Sequence, residues 1–144
     1  MANSGITKTY DPKAHVITFK GIIFTDFSED AFIEITSEPN FEMAEGVDGS
    51  ENRVNKNKTG CDVNVTLQQA SITNDALSDL LNADQIDNSG KGPFTIKDLN
   101  GTTVVYSAQA YIKGFPDNSK GGSMGSNTWA FRLPQAQRHF GGNL

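Results

Sequence analysis

The chain is short of cysteine, of histidine and, over one long stretch, of any base. Its 144 residues include one cysteine, Cys61, so no intrachain disulfide can form. A lone thiol on an alternating apolar segment reads as a small buried hydrophobe in a reducing compartment. The two histidines, His15 and His139, have no metal-ligand spacing to each other or to Cys61, which argues against zinc. No apolar run approaches the ~18 residues that a membrane span needs. Met1 to Gly5 is polar and no apolar run follows it, so a secretory leader is not expected. Without secretion, the glycosylation patterns at Asn57, Asn64 and Asn100 carry no meaning.

The missing bases matter most. Between Gly21 and Asn52 stand nine carboxylates and no Lys or Arg: Asp26, Glu29, Asp30, Glu34, Glu38, Glu42, Glu45, Asp48 and Glu51. The whole chain is −5, so the remainder is net positive. Part of this acidic window is the β-branched and aromatic run Phe32-Ile33-Glu34-Ile35-Thr36. Acids on a strand fall two residues apart on one face of a sheet. Such a row is either a solvated, aggregation-resistant surface or a field with a purpose. An acidic balance also argues against tight wrapping of nucleic acid through its phosphates.

What is present points to one β-rich domain spanning 1–144. Glycine numbers 14, and Asn and Ser mark many turns. Short strands are expected over Ile6 to Tyr10, within His15 to Phe24, and over Phe32 to Glu38. Cys61, Val63, Val65 and Leu67 alternate with Asp62, Asn64, Thr66 and Gln68, which predicts a strand with one dry and one wet face. Phe94 to Asp98 and Thr102 to Ile112 predict a hairpin around Asn100-Gly101, and Asn127 to Gln135 a last strand. The one helix is expected over Thr73 to Ala83, capped by Thr73 or Asn74. Its apolar stripe, with Leu77, Leu80 and Leu81, should pack near Trp129 or Phe131. Residues 42–59 form a polar stretch too long for an ordinary connection; it reads as two ragged strands around Asp48-Gly49, a projecting arm. Seven or eight strands and one helix make a β-sandwich or barrel with a flanking helix.

Catalytic chemistry finds little support. Gly121-Gly122-Ser123-Met124-Gly125 matches G-x-S-x-G, but a polar loop precedes it and a strand follows, where a hydrolase needs strand then helix. A calcium loop over Gln85 to Ile96 lacks carboxylates at both ends. No pair among the acids is singled out for glycoside hydrolysis. A carbohydrate-binding sandwich needs exposed aromatics, whereas Trp129 alternates with Phe131 and Leu133 as core would. No cofactor is implied.

The ordered set of segments Ile6 to Pro12, Thr59 to Ser71, Asn74 to Ser78, Gly92 to Thr102, Tyr111 to Lys113, Trp129 and Phe140 to Asn143 resembles the tail tube proteins of contractile-tailed bacteriophages. The resemblance runs nearly end to end. It implies a non-enzymatic β-sandwich subunit, six of which close a ring whose strands form a continuous inner β-barrel. Stacked rings make a tube that holds the tape measure protein and conducts DNA. Its partners would be other copies, the tail sheath protein, and the baseplate and tail terminator proteins. It would be assembled in the host cytoplasm and reside in the virion. Related tubes of type VI secretion systems and phage-derived bacteriocins share that fold and stand as the alternative. On this reading Glu34, Thr36, Glu38, Asp62, Asn64 and Thr66 line the lumen as a wall of short or acidic groups. The arm, through Glu42, Glu45, Asp48, Glu51, Arg53, Lys56 and Lys58, docks successive rings.

Overall fold

The computed structural model describes residues 7–28, 32–118 and 120–143. Among them the chain forms β1 (His15–Phe19), β2 (Ile22–Ile23), β3 (Ile33–Ser37), β4 (Phe41–Glu45), β5 (Glu51–Asn55), β6 (Cys61–Gln68), α1 (Thr73–Asp87), β7 (Gly92–Asp98), β8 (Val104–Gly114), β9 (Ser126–Leu133) and β10 (Gln137–His139). The fold is mainly β, with antiparallel sheets and one α-helix. The strands run in the order β2-β1-β7-β8-β9-β6-β3, with β10 also on β8 and β4-β5 as a separate hairpin.

The long strand β8 organises the molecule. Its first part pairs with β7 and β10, and its end, from Tyr111 to Gly114, pairs with β9. Register breaks at Gly92/Phe94 and Ile112/Gly114 let one strand serve two sheets, since an extra residue bends a strand and increases its twist. The sheets face each other across an aromatic cluster. Phe131 on β9 lies 4.9 Å from Phe94 on β7 and 5.5 Å from Phe19 on β1, ring centre to ring centre. Phe24 joins both Phe94 and Phe131. Around them β6 buries Cys61, Val63, Val65 and Leu67 in strict alternation, and β9 buries Trp129, Phe131 and Leu133.

The helix flanks this core through Leu77 and Leu81, both buried, with Leu80 half-buried against them. Its entry differs from the expectation. Neither Thr73 nor Asn74 caps it. Ile72 occupies the cap without a side-chain bond, and the Thr73 amide donates to Ser71 Oγ. Thr73 Oγ1 instead accepts from the Thr25 amide, and Asn74 Oδ1 accepts from Trp129 Nε1 at 2.9 Å. Both candidates are taken by tertiary contacts. The helix also runs a turn beyond Ala83, to Asp87, where Asn88 adopts a left-handed conformation and donates back to Asp84. That last turn carries exposed Ile86, so the buried apolar stripe ended before the helix did.

Other expectations also shift. Ile6 lies outside the described residues, and residues 7–10 form no strand; Thr9 instead accepts a hydrogen bond from Asn100 Nδ2. The His15 to Phe24 segment is a hairpin whose two-residue turn, Lys20-Gly21, has positive φ at both positions, the twist-matched turn for tight hairpins. β2 and β10 are too short to show a pattern in sequence.

Candidate functional site

The outward face of β3, β6, β9 and the end of β8 is a continuous polar surface. Register fixes its rows. Thr36 lies opposite Asp62, Asp62 opposite Arg132, and Arg132 opposite Tyr111. Glu34 lies opposite Asn64, and Asn64 opposite Ala130. Thr66 lies opposite Thr128, their hydroxyls 3.1 Å apart. Of the six expected wet-face residues, five stand together on this surface. Glu38 lies just past β3, where its carboxylate is 3.8 Å from Lys58 Nζ.

The face is not the wall of short or acidic groups expected from β3 and β6 alone. β9 and β8 add Arg132, Lys113 and the aromatic Tyr111. Asp62 Oδ1 lies 3.3 Å from Arg132 Nη1 and 3.8 Å from Lys113 Nζ. The four strands thus carry two acids against two bases. Part of the signal was in the sequence: if Trp129, Phe131 and Leu133 point inward, Arg132 must point outward. The pairing of β9 with β6 was not.

This half of the structure has two open edges. Thr66 donates to the Phe32 carbonyl, which makes Ile33/Val65 a non-hydrogen-bonded pair. By alternation, Ile33, Ile35 and Ser37 turn their main-chain groups away from β6. On the far side, no strand among the described residues pairs with the outer edge of β8 from Tyr111 to Gly114. Neighbours in this four-strand set are all antiparallel, so the two edges run in opposite directions.

The arm is the β4–β5 hairpin. Every residue of both strands is exposed. Phe41 pairs with Asn55, and the Lys56 amide closes the base onto the Asn40 carbonyl at 3.0 Å. Arg53 sits 4.2 Å from the centre of the Phe41 ring. Glu45 stands directly opposite Glu51, a like-charge pair that opposes the hairpin. Asp48 turns the tip; the Ser50 hydroxyl, then the Ser50 amide, hold its carboxyl below the usual range. Among the described residues, Glu42, Glu45, Asp48 and Glu51 form no ion pair.

The remaining residues of interest are structural. Leu77, Leu81 and Trp129 are buried and Leu80 is half-buried. Cys61 is fully buried, and burial pushes its thiol up despite nearby Arg138 and Arg132. Ser123 lies in the exposed loop between β8 and β9, with a strand after it. Among the described residues no cluster of His, Cys, Asp and Glu could hold a metal ion.

No protein-family profile matches the chain. Its fold is that of chains found in contractile injection assemblies. It is similar to a chain of the anti-feeding prophage cap, the AFP tube-terminating cap, with a TM-score of 0.62, 10% identity, and coverage of 96% of this chain and 99% of that one. It is likewise similar to a chain of the PVC sheath/tube terminator, an extracellular contractile injection system in its extended state. There the TM-score is 0.63 at 9% identity, covering 94% of this chain and 100% of that one. At such identities the likeness is one of fold. In sequence the chain is 30% identical over 149 residues to Structural protein ORF10 of Pseudomonas phage KPP10, covering 97% of this chain and 86% of that protein. The chain belongs to the family of that phage structural protein; it is a structural protein and not an enzyme.

Proposed function

We propose that this protein is the tail tube subunit of a contractile-tailed phage. Six copies close a ring, rings stack into a hollow tube, and the tube holds the tape measure protein and later conducts DNA. One observation carries this reading: a four-strand antiparallel set, polar on its outward face, with open edges of opposite direction at β3 and the end of β8. The β3 edge of one copy and the β8 edge of the next can continue a single antiparallel barrel. Closure removes the exposed edges that otherwise invite aggregation. The polar face then lines the lumen, with Glu34, Thr36, Asp62, Asn64 and Thr66 on it and Glu38 at its rim. The β4–β5 arm reaches the adjacent ring. The sheath, baseplate and terminator proteins bind elsewhere on the tube, within the virion.

A second reading is a ring that terminates the tube. It is favoured by the assemblies to which the solved neighbours belong. Electron microscopy of the purified protein separates the two: a tube subunit gives tubes of indefinite length, a terminator gives single rings. Ser37→Pro tests the closure. Its amide points away from β6, so proline removes a donor that the subunit does not use. The variant should stay folded and form neither tubes nor rings. Normal tubes from it would refute pairing through β3.

A further inference from the structure

We propose that Asp62 masks charge: its carboxylate occupies Arg132 and Lys113 so that the polar face does not grip nucleic acid moving past it. This rests on the reading of that face as a tube wall. One oxygen, Asp62 Oδ1, serves both bases, at 3.3 and 3.8 Å. The three side chains are 30 to 47% exposed, within reach of a passing phosphate. Ion pairs this exposed add little to stability, so the consequence of the cluster lies in what it withholds.

Arg132 also has a reason to be there. Its guanidinium lies across buried Gly60, where a Cβ would come within 2.5 Å of Nη2. The base therefore covers the start of β6 while its charge faces the polar surface. Lys113 sits beside it on β8. Unmasked, each subunit would offer two cations, repeated around every ring. Phosphate contacts of that kind release counterions and accumulate, which would slow transit. Glu34 cannot substitute, since it faces Asn64 and makes no ion pair among the described residues.

The test is Asp62→Asn, nearly isosteric and uncharged. Wild-type and D62N tubes are mixed with a fluorescent 20-base-pair duplex and sedimented. At ~50 mM salt D62N should bind about tenfold more tightly, the gap closing toward ~0.5 M salt. Microscopy of D62N tubes with the duplex should show density along the axis. Adding Lys113→Gln and Arg132→Gln to D62N should return binding to the wild-type level. The same two substitutions with Asp62 retained should leave binding at or below that level. Equal binding by wild-type and D62N tubes overturns the masking, as does a rise when the bases are removed. Stronger binding confined to the outer surface overturns the placement of this face in the lumen, and the proposal with it. If wild-type subunits form no tube at all, the tube reading itself falls. Circular dichroism of each variant confirms that the subunit is folded.

Discussion

Strands β6 and β5 are neighbours in sequence and opposites in physics. Every second residue of β6 is fully buried, and the strand is paired with β9 along its whole length and with β3 from Cys61 to Val65. Every residue of β5 is exposed, and among the described residues β5 has one partner, β4. A lone two-stranded hairpin is marginal in water at best. The arm holds together through five registered pairs, one stacked arginine and a capped turn, with two carboxylates opposed inside it. The body has a buried core of its own. Among the described residues the arm leaves the apolar side chains Phe41, Met43 and Val54 exposed, a surface open to another molecule. On the proposed function that molecule is the next ring.

The comparison breaks most visibly in the core. Phe131→Ala removes the ring that joins both sheets and should cost ~3–5 kcal/mol in chemical denaturation. Leu77→Ala should cost ~2–5 kcal/mol, and half-buried Leu80→Ala clearly less, because its site is partly wet already. Phe41→Ala, the same truncation on the arm, should cost no more than ~1 kcal/mol, the scale of an exposed cation–π contact. If Phe41→Ala rivals Phe131→Ala, the arm is part of the folding unit and the contrast is wrong.

A second experiment removes the arm altogether. Asn40 and Lys56 already share a main-chain hydrogen bond, so the segment 41–55 can be replaced by Asn-Gly, a favoured two-residue hairpin turn. The melting temperature should change by no more than about 4 °C, the shift expected from ~1 kcal/mol in a chain of this size. Tube formation should be lost, or become strongly dependent on salt and concentration. Normal polymerisation would show that rings stack without the arm.

The sequence made some of this contrast legible. The alternation in β6, the helix stripe and the turn at Asp48-Gly49 are local signals, and the corresponding elements formed. Three-residue β10 and two-residue β2 carry too few positions for any period; a tight local turn creates β2, and pairing with remote β8 creates β10. The helix cap was misplaced because Thr73 and Asn74 bond to β2's exit and to Trp129, partners remote in sequence. The site shows the same limit. Glu34 and Asp62 could be read as outward-facing, but the neutralisation of Asp62 depends on Arg132, 70 residues away. Strand alternation says which way a side chain points and nothing about what stands beside it. A charge pattern counted along the chain therefore overstated the acidity of the face.

The finest test of the contrast is at the tip of the arm. Asp48 accepts from the Ser50 hydroxyl at 2.8 Å and from the Ser50 amide at 3.1 Å, and these bonds favour its ionised form. Its pKa in the folded chain therefore lies below the ordinary 3.8. A carboxyl shifted this way supports the turn fully above its unfolded value. The support is lost as pH falls through the lowered folded value. The group is fully exposed, so the change should stay local: the turn loosens while the body keeps its fold. Nuclear magnetic resonance can follow the Ser50 amide through an acid titration. Its shift should report a midpoint below 3.8, and Ser50→Ala should move the Asp48 midpoint upward. The amides of Val63 and Phe131, on β6 and β9, should not follow that curve. A Ser50 midpoint at or above 3.8 would mean that the carboxylate does not hold the turn. Core amides moving with it would mean that arm and body titrate as one, and the distinction between them would fail.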